Sequence, residues 1–156
     1  MTGQTPEPME LERYAGLRLE NQLCFPLYAA SREIIRLYRP HLDALDLTYT
    51  QYITMMVLWE EREISVKQLG KRLYLDSGTL TPLLKSLEAK GYVTRTRSRD
   101  DERVVVVRLT DAGLALQEQA VAVPEGMKAC LRLSPDEAAV LYKLLYKLLA
   151  EEKGIS

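Results

Sequence analysis

The sequence predicts a mainly α-helical fold with one small β-hairpin, and three observations carry this prediction. Apolar residues recur every three or four positions through most of the 156-residue chain, which is the spacing of amphipathic helices. Two short helical stretches between residues 66 and 91 are separated by about four residues. A segment with β-branched flanks and a polar middle follows them at once, at residues 92–110, and predicts the hairpin.

The composition is that of an ordinary folded domain. Apolar residues make up 47% and charged residues 28%, and no apolar run approaches the roughly 18 residues that span a bilayer. The N-terminus lacks the pattern of a secretory signal, so we expect a cytoplasmic chain with reduced thiols and no membrane partner. Two distant cysteines, Cys24 and Cys130, and one histidine, His41, form neither a disulfide framework nor a zinc pattern. We therefore expect no metal and no cofactor, and we place His41 on a helix surface or at a helix end.

The first predicted element is a long helix from Leu19 to about Asp43, preceded by a flexible arm over residues 1–16. At 100° per residue, one narrow stripe of this helix holds Cys24, Tyr28, Ser31, Ile35, Tyr38 and Leu42. Pro26 marks either the first turn of the helix or a kink. If it marks the first turn, Cys24 lies near a helix N-terminus, where the helix dipole favours a thiolate.

Three further helices are signalled by their caps and by their apolar spacing. The stretch LDLTYTQYITMMVLWEE predicts a helix with Thr48 or Thr50 as its N-cap. Ser65 is a natural N-cap for a short helix over residues 66–73. The stretch SGTLTPLLKSLEAKG predicts the next helix, which ends at Gly91. Two short helices with so short a connection form a helix-turn-helix.

Beyond the hairpin, two more helices are predicted. The first runs from about Ala112 to Val123 and is interrupted by Pro124 and Gly126. The last helix opens with the capping box SPDE, in which Ser134 is the N-cap.

A helix-turn-helix with a hairpin directly after it is a winged helix, here over about residues 48–110. Between Lys90 and Arg108 there are six basic and three acidic residues, a local charge of +3 in a chain of net charge −1. Clustered cations are the main source of affinity for DNA phosphates. A charged hairpin alone is more simply a solvated surface, but its place after the helix-turn-helix favours double-stranded DNA. The predicted contacts are Ser77, Thr79, Thr81 and Lys85 on the second short helix, which enters the major groove, and Arg95 and Arg97 on the hairpin.

Long amphipathic helices flank this module at about residues 17–45 and 111–152, within a single domain of residues 17–156. Their apolar stripes exceed what one small core needs, and this predicts a homodimer. A symmetric dimer places two winged helices about 34 Å apart, on successive turns of a palindromic site.

The run LYLDSGTLTPLLKSLEAKGYVTRTRSRDDERVVVVRLTDAG resembles the winged helix of the MarR family of transcriptional regulators. The stretches NQLCF, LDLTYTQY and YLDSGTLTPLLK narrow this resemblance to the organic-hydroperoxide-sensing repressors of that family, the OhrR group. The resemblance extends over about residues 19–123. It implies a dimeric repressor, not an enzyme, that leaves DNA when an organic hydroperoxide oxidises Cys24. Pro26 departs from the family pattern next to this cysteine.

The resemblance also assigns roles to other residues. It implies that Tyr28, Tyr38 and Tyr49 activate the sensing thiol. Asp101 and Arg103 match the DNA contacts of the wing tip. Tyr38 lies 14 residues after Cys24, about 21 Å along a continuous helix, so it meets only the cysteine of another, antiparallel subunit.

Alternatives remain for both cysteines. Cys130, predicted on a loop or a frayed helix end, is either a spare apolar residue or the resolving cysteine of a two-cysteine sensor, which the resemblance favours. Cys24 is incidental if the protein is instead a MarR-type repressor that a phenolic or lipophilic ligand releases. A thiol peroxidase is disfavoured, because it has no use for a winged helix.

Overall fold

The computed structural model describes residues 13–150. Most of the predicted N-terminal arm, residues 1–12, and the end of the chain, residues 151–156, lie outside the described residues. The helices are α1 (Cys24–Asp43), α2 (Tyr49–Glu61), α3 (Val66–Leu73), α4 (Ser77–Ala89), α5 (Asp111–Ala120), α6 (Ala122–Cys130) and α7 (Pro135–Leu149). The strands are β1 (Glu63–Ser65), β2 (Val93–Arg97) and β3 (Val105–Leu109). The predicted mainly helical winged fold is confirmed.

The first long helix starts five residues later than predicted. Residues 15–17 and 19–21 form two short 3-10 turns, and α1 begins at Cys24. Pro26 is therefore the third residue of α1, so the predicted first-turn position is confirmed. Its missing N–H has no consequence there, because the first amides of a helix have no acceptor within the helix.

Strand β1 was not predicted from the sequence. It pairs antiparallel with β3, so the sheet order is β1-β3-β2, and Ile64 lies opposite Val107. The hairpin itself joins β2 to β3, with Arg95 opposite Val107. Three residues are too few to show the alternating pattern of a strand in the sequence. Strand β1 is defined only by its pairing with the edge of β3.

The hydrophobic core lies mainly within the winged-helix module. Leucines of α3 and α4 pack against α2 and the sheet, and the fully buried side chains include Met55, Leu58, Leu69, Leu80, Leu84, Leu87, Val93 and Val107. Thr48 caps α2 in a reciprocal capping box with Gln51, and the amide of Gln51 also donates to the Ser86 hydroxyl at 3.0 Å. Local capping and long-range packing thus fix the same helix.

The predicted interruption at Pro124 and Gly126 is wrong. The break falls at Val121, between α5 and α6, and both residues lie inside α6. Pro124 is tolerated because it is the third residue of that helix. A Cβ on Gly126 would overlap Cε1 of His41 and lie 2.8 Å from its Nδ1, so the glycine lets α1 cross α6 closely. Cys130 is consequently the last residue of α6, so of the two predicted positions, a loop or a helix end, the structure shows the helix end.

The outer helices leave apolar surface uncovered. No residue of α7 is buried, and Leu144 and Leu148 are 53% and 67% exposed. The predicted stripe of α1 is buried at Leu42, half-buried at Tyr38 and exposed at Tyr28 and Cys24. Within residues 13–150, no helix is both long enough and apolar enough to cross a membrane.

Candidate nucleic-acid interface and thiol site

Hydrogen bonds and close packing in the preceding turn hold the start of helix α4 in place. The carboxylate of Asp76 caps α4, accepting the backbone N–H of Thr79 at 2.8 Å and its hydroxyl at 3.2 Å. These hydrogen bonds lower the pKa of the Asp76 carboxyl. Tyr74, in the turn, has a φ of 54°, the left-handed conformation that ends α3. A Cβ on Gly70 would lie 2.7 Å from the Leu75 carbonyl oxygen, so the absence of a side chain there lets the turn fold back on α3.

One face of α4 packs in the core and the other is open. The buried face holds Leu80, Leu83, Leu84 and Leu87. All four residues that the sequence predicted as major-groove contacts are exposed, namely Ser77, Thr79, Thr81 and Lys85. Exposure leaves all four accessible, although Thr79 lies on the opposite side of α4 from Ser77 and Thr81 at 100° per residue. Their contact with DNA stays a prediction.

Four of the six basic residues counted between Lys90 and Arg108 form an ion pair with a carboxylate. Arg95 is half-buried and forms an ion pair with Glu88 of α4 at 2.7 Å, while its backbone N–H donates to the same carboxylate. The hydrogen bonds from Arg95 lower the pKa of Glu88. Arg108 pairs with Glu63 and Lys90 pairs with Asp46. Arg95 thus fastens the wing to α4, and its predicted contact with DNA stays a prediction.

The wing tip carries the arginines Arg97, Arg99 and Arg103. Arg97 donates to the carbonyl of Glu102 at 2.9 Å. The carboxylate of Asp101 accepts the backbone N–H of Arg103 at 3.0 Å and forms a long ion pair with its guanidinium at 3.6 Å, in which the Arg103 side chain is 95% exposed. Asp101 therefore shapes the turn that presents Arg103 to solvent.

A groove of about 950 Å³ separates the helix-turn-helix from the wing. Ser77, Thr81 and Arg103 line it, together with Lys67 and Lys71 of α3. Neither lysine forms an ion pair within the part of the chain that the structure describes. These two lysines were not among the predicted residues, although two lysines four residues apart lie on the same side of a short helix and are visible in the sequence.

Cys24 is exposed at the N-terminus of α1. Tyr28 lies one turn further along, and its hydroxyl accepts a hydrogen bond from Arg32 at 2.9 Å. The guanidinium carbon of Arg32 is also 5.6 Å from the centre of the Tyr28 ring. The sequence and the structure agree that Cys24 and Tyr28 share one end of one helix.

The other two predicted tyrosines form a separate aromatic cluster. The ring centres of Tyr38 and Tyr49 are 4.9 Å apart, and Tyr52 lies 5.9 Å from Tyr38. Burial raises the pKa of all three phenols. Tyr52 was not predicted, although its position three residues after Tyr49 on α2 placed it on the same side of that helix. Tyr38 is about 21 Å from Cys24 along α1, so one chain does not bring them together.

Cys130 is half-buried, and its thiol donates to the carbonyl of Gly126 at 3.5 Å. The ring of His41 lies against Gly126, where α1 crosses α6. Cys130 is therefore hydrogen-bonded to the residue at which the two helices cross. Both cysteines are free thiols in this structure.

A second groove, of about 960 Å³, follows α1 from Tyr28 to Tyr49. Its lining mixes apolar side chains, such as Ile35 and Leu42, with the arginines Arg32 and Arg36. Five of the twelve residues that line this groove are charged, whereas sites for lipophilic ligands are predominantly apolar.

Comparison with known proteins places this geometry in a family. A family model described as transcriptional regulator SarA/Rot matches residues 36–119. The organic hydroperoxide resistance transcriptional regulator of Bacillus subtilis is 47% identical over 137 residues, which cover 88% of this chain and 93% of that protein. The chain belongs to the MarR family of transcriptional regulators. The predicted resemblance to the hydroperoxide-sensing group is thereby confirmed.

Solved structures support the same assignment. Overoxidised AbfR bound to DNA, from Staphylococcus epidermidis, is 39% identical with a TM-score of 0.71, over 88% of this MarR-family chain and 96% of AbfR. Disulfide-formed AbfR gives a TM-score of 0.61 over 91% and 98% of the two chains. A mutant MarR from E. coli is 31% identical with a TM-score of 0.65, over 83% and 97%. The relatives are named as transcriptional regulators or solved bound to DNA.

Proposed function

We propose that the protein is a cytoplasmic homodimeric repressor that binds a palindromic double-stranded DNA site and is released when an organic hydroperoxide oxidises Cys24. The observation that carries this proposal is the exposed thiol at the start of α1, in a chain 47% identical to a regulator named for organic hydroperoxide resistance. DNA binding uses α4 in the major groove and the Arg103 wing tip beside it.

The uncovered outer helices support the dimer. Leu23, just before α1, is 81% exposed, and α7 buries no residue at all. A second copy that covers both surfaces removes this apolar area from water. The dimer also supplies what one chain lacks, because Tyr38 of one subunit reaches Cys24 of the other only if the α1 helices run antiparallel. Tyr38 and Tyr49 are protonated phenols, as tyrosines are at neutral pH, and burial raises their pKa further, so each has a hydroxyl that can donate a hydrogen bond to that thiolate.

The proposed oxidation has two balanced steps. The Cys24 thiolate attacks one peroxide oxygen, an S–O bond forms as the O–O bond breaks, and the alcohol leaves after taking up a proton. The sulfenic acid is then attacked by the Cys130 thiol of the partner subunit, which forms a disulfide and releases water. The existence of a disulfide form of AbfR supports the second step. Forming this disulfide removes the Cys130 thiol from the Gly126 carbonyl and pulls on the crossing of α1 and α6.

The test uses a duplex selected from a randomised pool by the reduced protein. Cumene hydroperoxide should release the wild type from this duplex, and dithiothreitol should restore binding. Cys24→Ser should bind and ignore the peroxide. On a non-reducing gel the oxidised wild type should run at twice the mass of the 17.8 kDa chain, and both Cys24→Ser and Cys130→Ser should lack that band.

The other outcomes each contradict a stated part. Release of Cys24→Ser by an unreactive phenol such as salicylate would favour a ligand-gated repressor that uses the groove along α1. Sustained consumption of peroxide with thiol recycling would indicate a peroxidase. A monomeric band with a small-thiol adduct on Cys24 would leave a one-cysteine mechanism.

A further inference from the structure

The exposed face of α4 offers few side chains that donate hydrogen bonds to bases. At 100° per residue, the direction opposite the buried leucines is occupied by Gly78, Pro82, Lys85 and Ala89. All four are exposed. Among them only Lys85 carries a polar side chain, and proline lacks even its backbone N–H.

The threonines beside this row have already used their hydroxyl protons. Thr81 donates to the carbonyl of Ser77 at 2.8 Å, and Thr79 donates to the Asp76 carboxylate at 3.2 Å. Each hydroxyl has one proton, so what remains on the surface is acceptor lone pairs and methyl groups. The two residues therefore add apolar surface to the row and no further donor.

We propose that the row of Gly78, Pro82, Lys85 and Ala89 recognises DNA mainly through thymine C5-methyl groups, which contact the Pro82 ring and the neighbouring Thr81 methyl, with Lys85 as the one donating side chain of the row. This inference rests on the proposed DNA-binding function and names the sequence class that the site prefers. In the major groove the C5-methyl is the one apolar feature that distinguishes thymine, and apolar side chains are its partners. Lysine donates to the O6 and N7 acceptors of guanine. The preferred half-site therefore places thymines under Pro82, next to a guanine under Lys85.

The size of the effect follows from burying one methyl. Transferring one methyl group from water into the interface stabilises the complex by about 0.8 kcal/mol, which corresponds to about fourfold in affinity. A palindromic site bound by a symmetric dimer contains each contact twice. Removing the same methyl from both half-sites should therefore weaken binding about fifteenfold.

The probe is the duplex selected from a randomised pool, with each thymine replaced in turn by deoxyuridine. This substitution removes the methyl and keeps the base pair's hydrogen bonds. At the contacted thymines, the wild type should bind the deoxyuridine duplex about fourfold more weakly for one half-site. At the remaining thymines its affinity should not change.

The variant Pro82→Ala identifies the residue that reads the methyl. Alanine restores an N–H in mid-helix, so α4 should remain folded, which circular dichroism checks. Its ratio of affinities for thymine and deoxyuridine duplexes should fall to below about twofold at the same positions. Pro40→Ala is the matched control, because Pro40 is also exposed inside a helix but lies on α1, away from the predicted DNA surface. It should keep the wild-type ratio.

Three results would overturn the inference. Equal affinity for every deoxyuridine duplex would show that no methyl is read. An unchanged ratio in Pro82→Ala would assign the methyl to another residue. A pool that gives no enriched sequence would refute the proposed function itself, and this outcome is distinct from the other two.

Discussion

Replacing Gly113 by alanine is expected to destabilise the protein by about 1–3 kcal/mol, because no space exists for a side chain there. Gly113 is buried in the first turn of α5. A Cβ at this position would overlap the Tyr92 carbonyl oxygen and lie 2.8 Å from Cδ1 of Leu109. The Tyr92 oxygen belongs to the backbone before β2 and cannot rotate away. Helix α5 must therefore shift from the base of the wing.

Two smaller effects act on the same substitution. The indole N–H of Trp59 donates to the Gly113 carbonyl at 2.9 Å inside the core, and a shift of α5 weakens a bond worth about 1 kcal/mol. Alanine gains at most about 1 kcal/mol over glycine in helix propensity. These two effects roughly cancel, so the steric overlap sets the result.

The assay is urea unfolding at a fixed protein concentration, followed by tryptophan fluorescence. Trp59 is the single tryptophan of the chain, so the fluorescence signal reports directly on the contact between α2 and α5 at Gly113. For a chain of this length, the expected loss corresponds to a fall in Tm of about 2–12 °C. A fixed concentration is needed because a dimer's stability depends on it.

Alanine substitutions at two other glycines serve as controls for the loss of stability in Gly113→Ala. Gly16 has no atom within 4 Å of an added Cβ, so Gly16→Ala should unfold like the wild type. Gly126→Ala meets the His41 ring, which is a side chain and can turn, so its loss should fall between the other two. A Gly113→Ala protein as stable as Gly16→Ala would refute the packing described here for α5.

The remaining predictions concern DNA, pH and the thiol. Arg103→Ala should reduce the log–log salt dependence of DNA binding by about one unit, because its ion pair with Asp101 is long, at 3.6 Å, and its side chain is almost fully exposed. Arg95→Ala, whose ion pair with Glu88 is half-buried at 2.7 Å, should change it by less than half as much; equal slopes would contradict the assignment. Because folding lowers the pKa of Asp76, its cap stabilises the fold above the unfolded pKa of about 3.9 and is lost as pH falls through the lower folded value. The difference in urea midpoint between wild type and Asp76→Asn should therefore shrink below about pH 4, and a constant difference would exclude this linkage. Tyr38→Phe and Tyr49→Phe should slow oxidation of the sensing thiol by cumene hydroperoxide, through loss of about 1.5–3 kcal/mol each, and leave DNA affinity unchanged; wild-type rates would leave both tyrosines as packing residues.

Helices of the winged module were predictable because their signals are local. The caps Thr48 and Ser65 lie within three residues of the amides that they bind, and the leucines of α4 repeat within two turns. Both are correlations over three or four residues, which a single sequence displays. These local signals were enough to predict the helix-turn-helix and the exposed position of Lys85. The hairpin was predictable in the same way, from the residue types of its two flanks and its middle.

Features that depend on distant partners were missed or misplaced. Strand β1 is defined by pairing with β3, more than 40 residues later along the chain. Gly126 looked like a helix breaker, because the sequence does not show that His41 will cover it.

The sequence by itself determined the family, the winged helix-turn-helix and the candidate sensing cysteine, because each is written in contiguous or regularly spaced residues. Only the tertiary structure decided which charges remain free. It paired Arg95 with Glu88, and left Lys67 and Lys71 beside α4 without an ion pair among residues 13–150. It also joined Tyr52 to Tyr38 and left α7 without a buried face. The physical reason is that net charge and apolar spacing are sums along the chain, whereas ion pairing and burial depend on which surfaces meet in space.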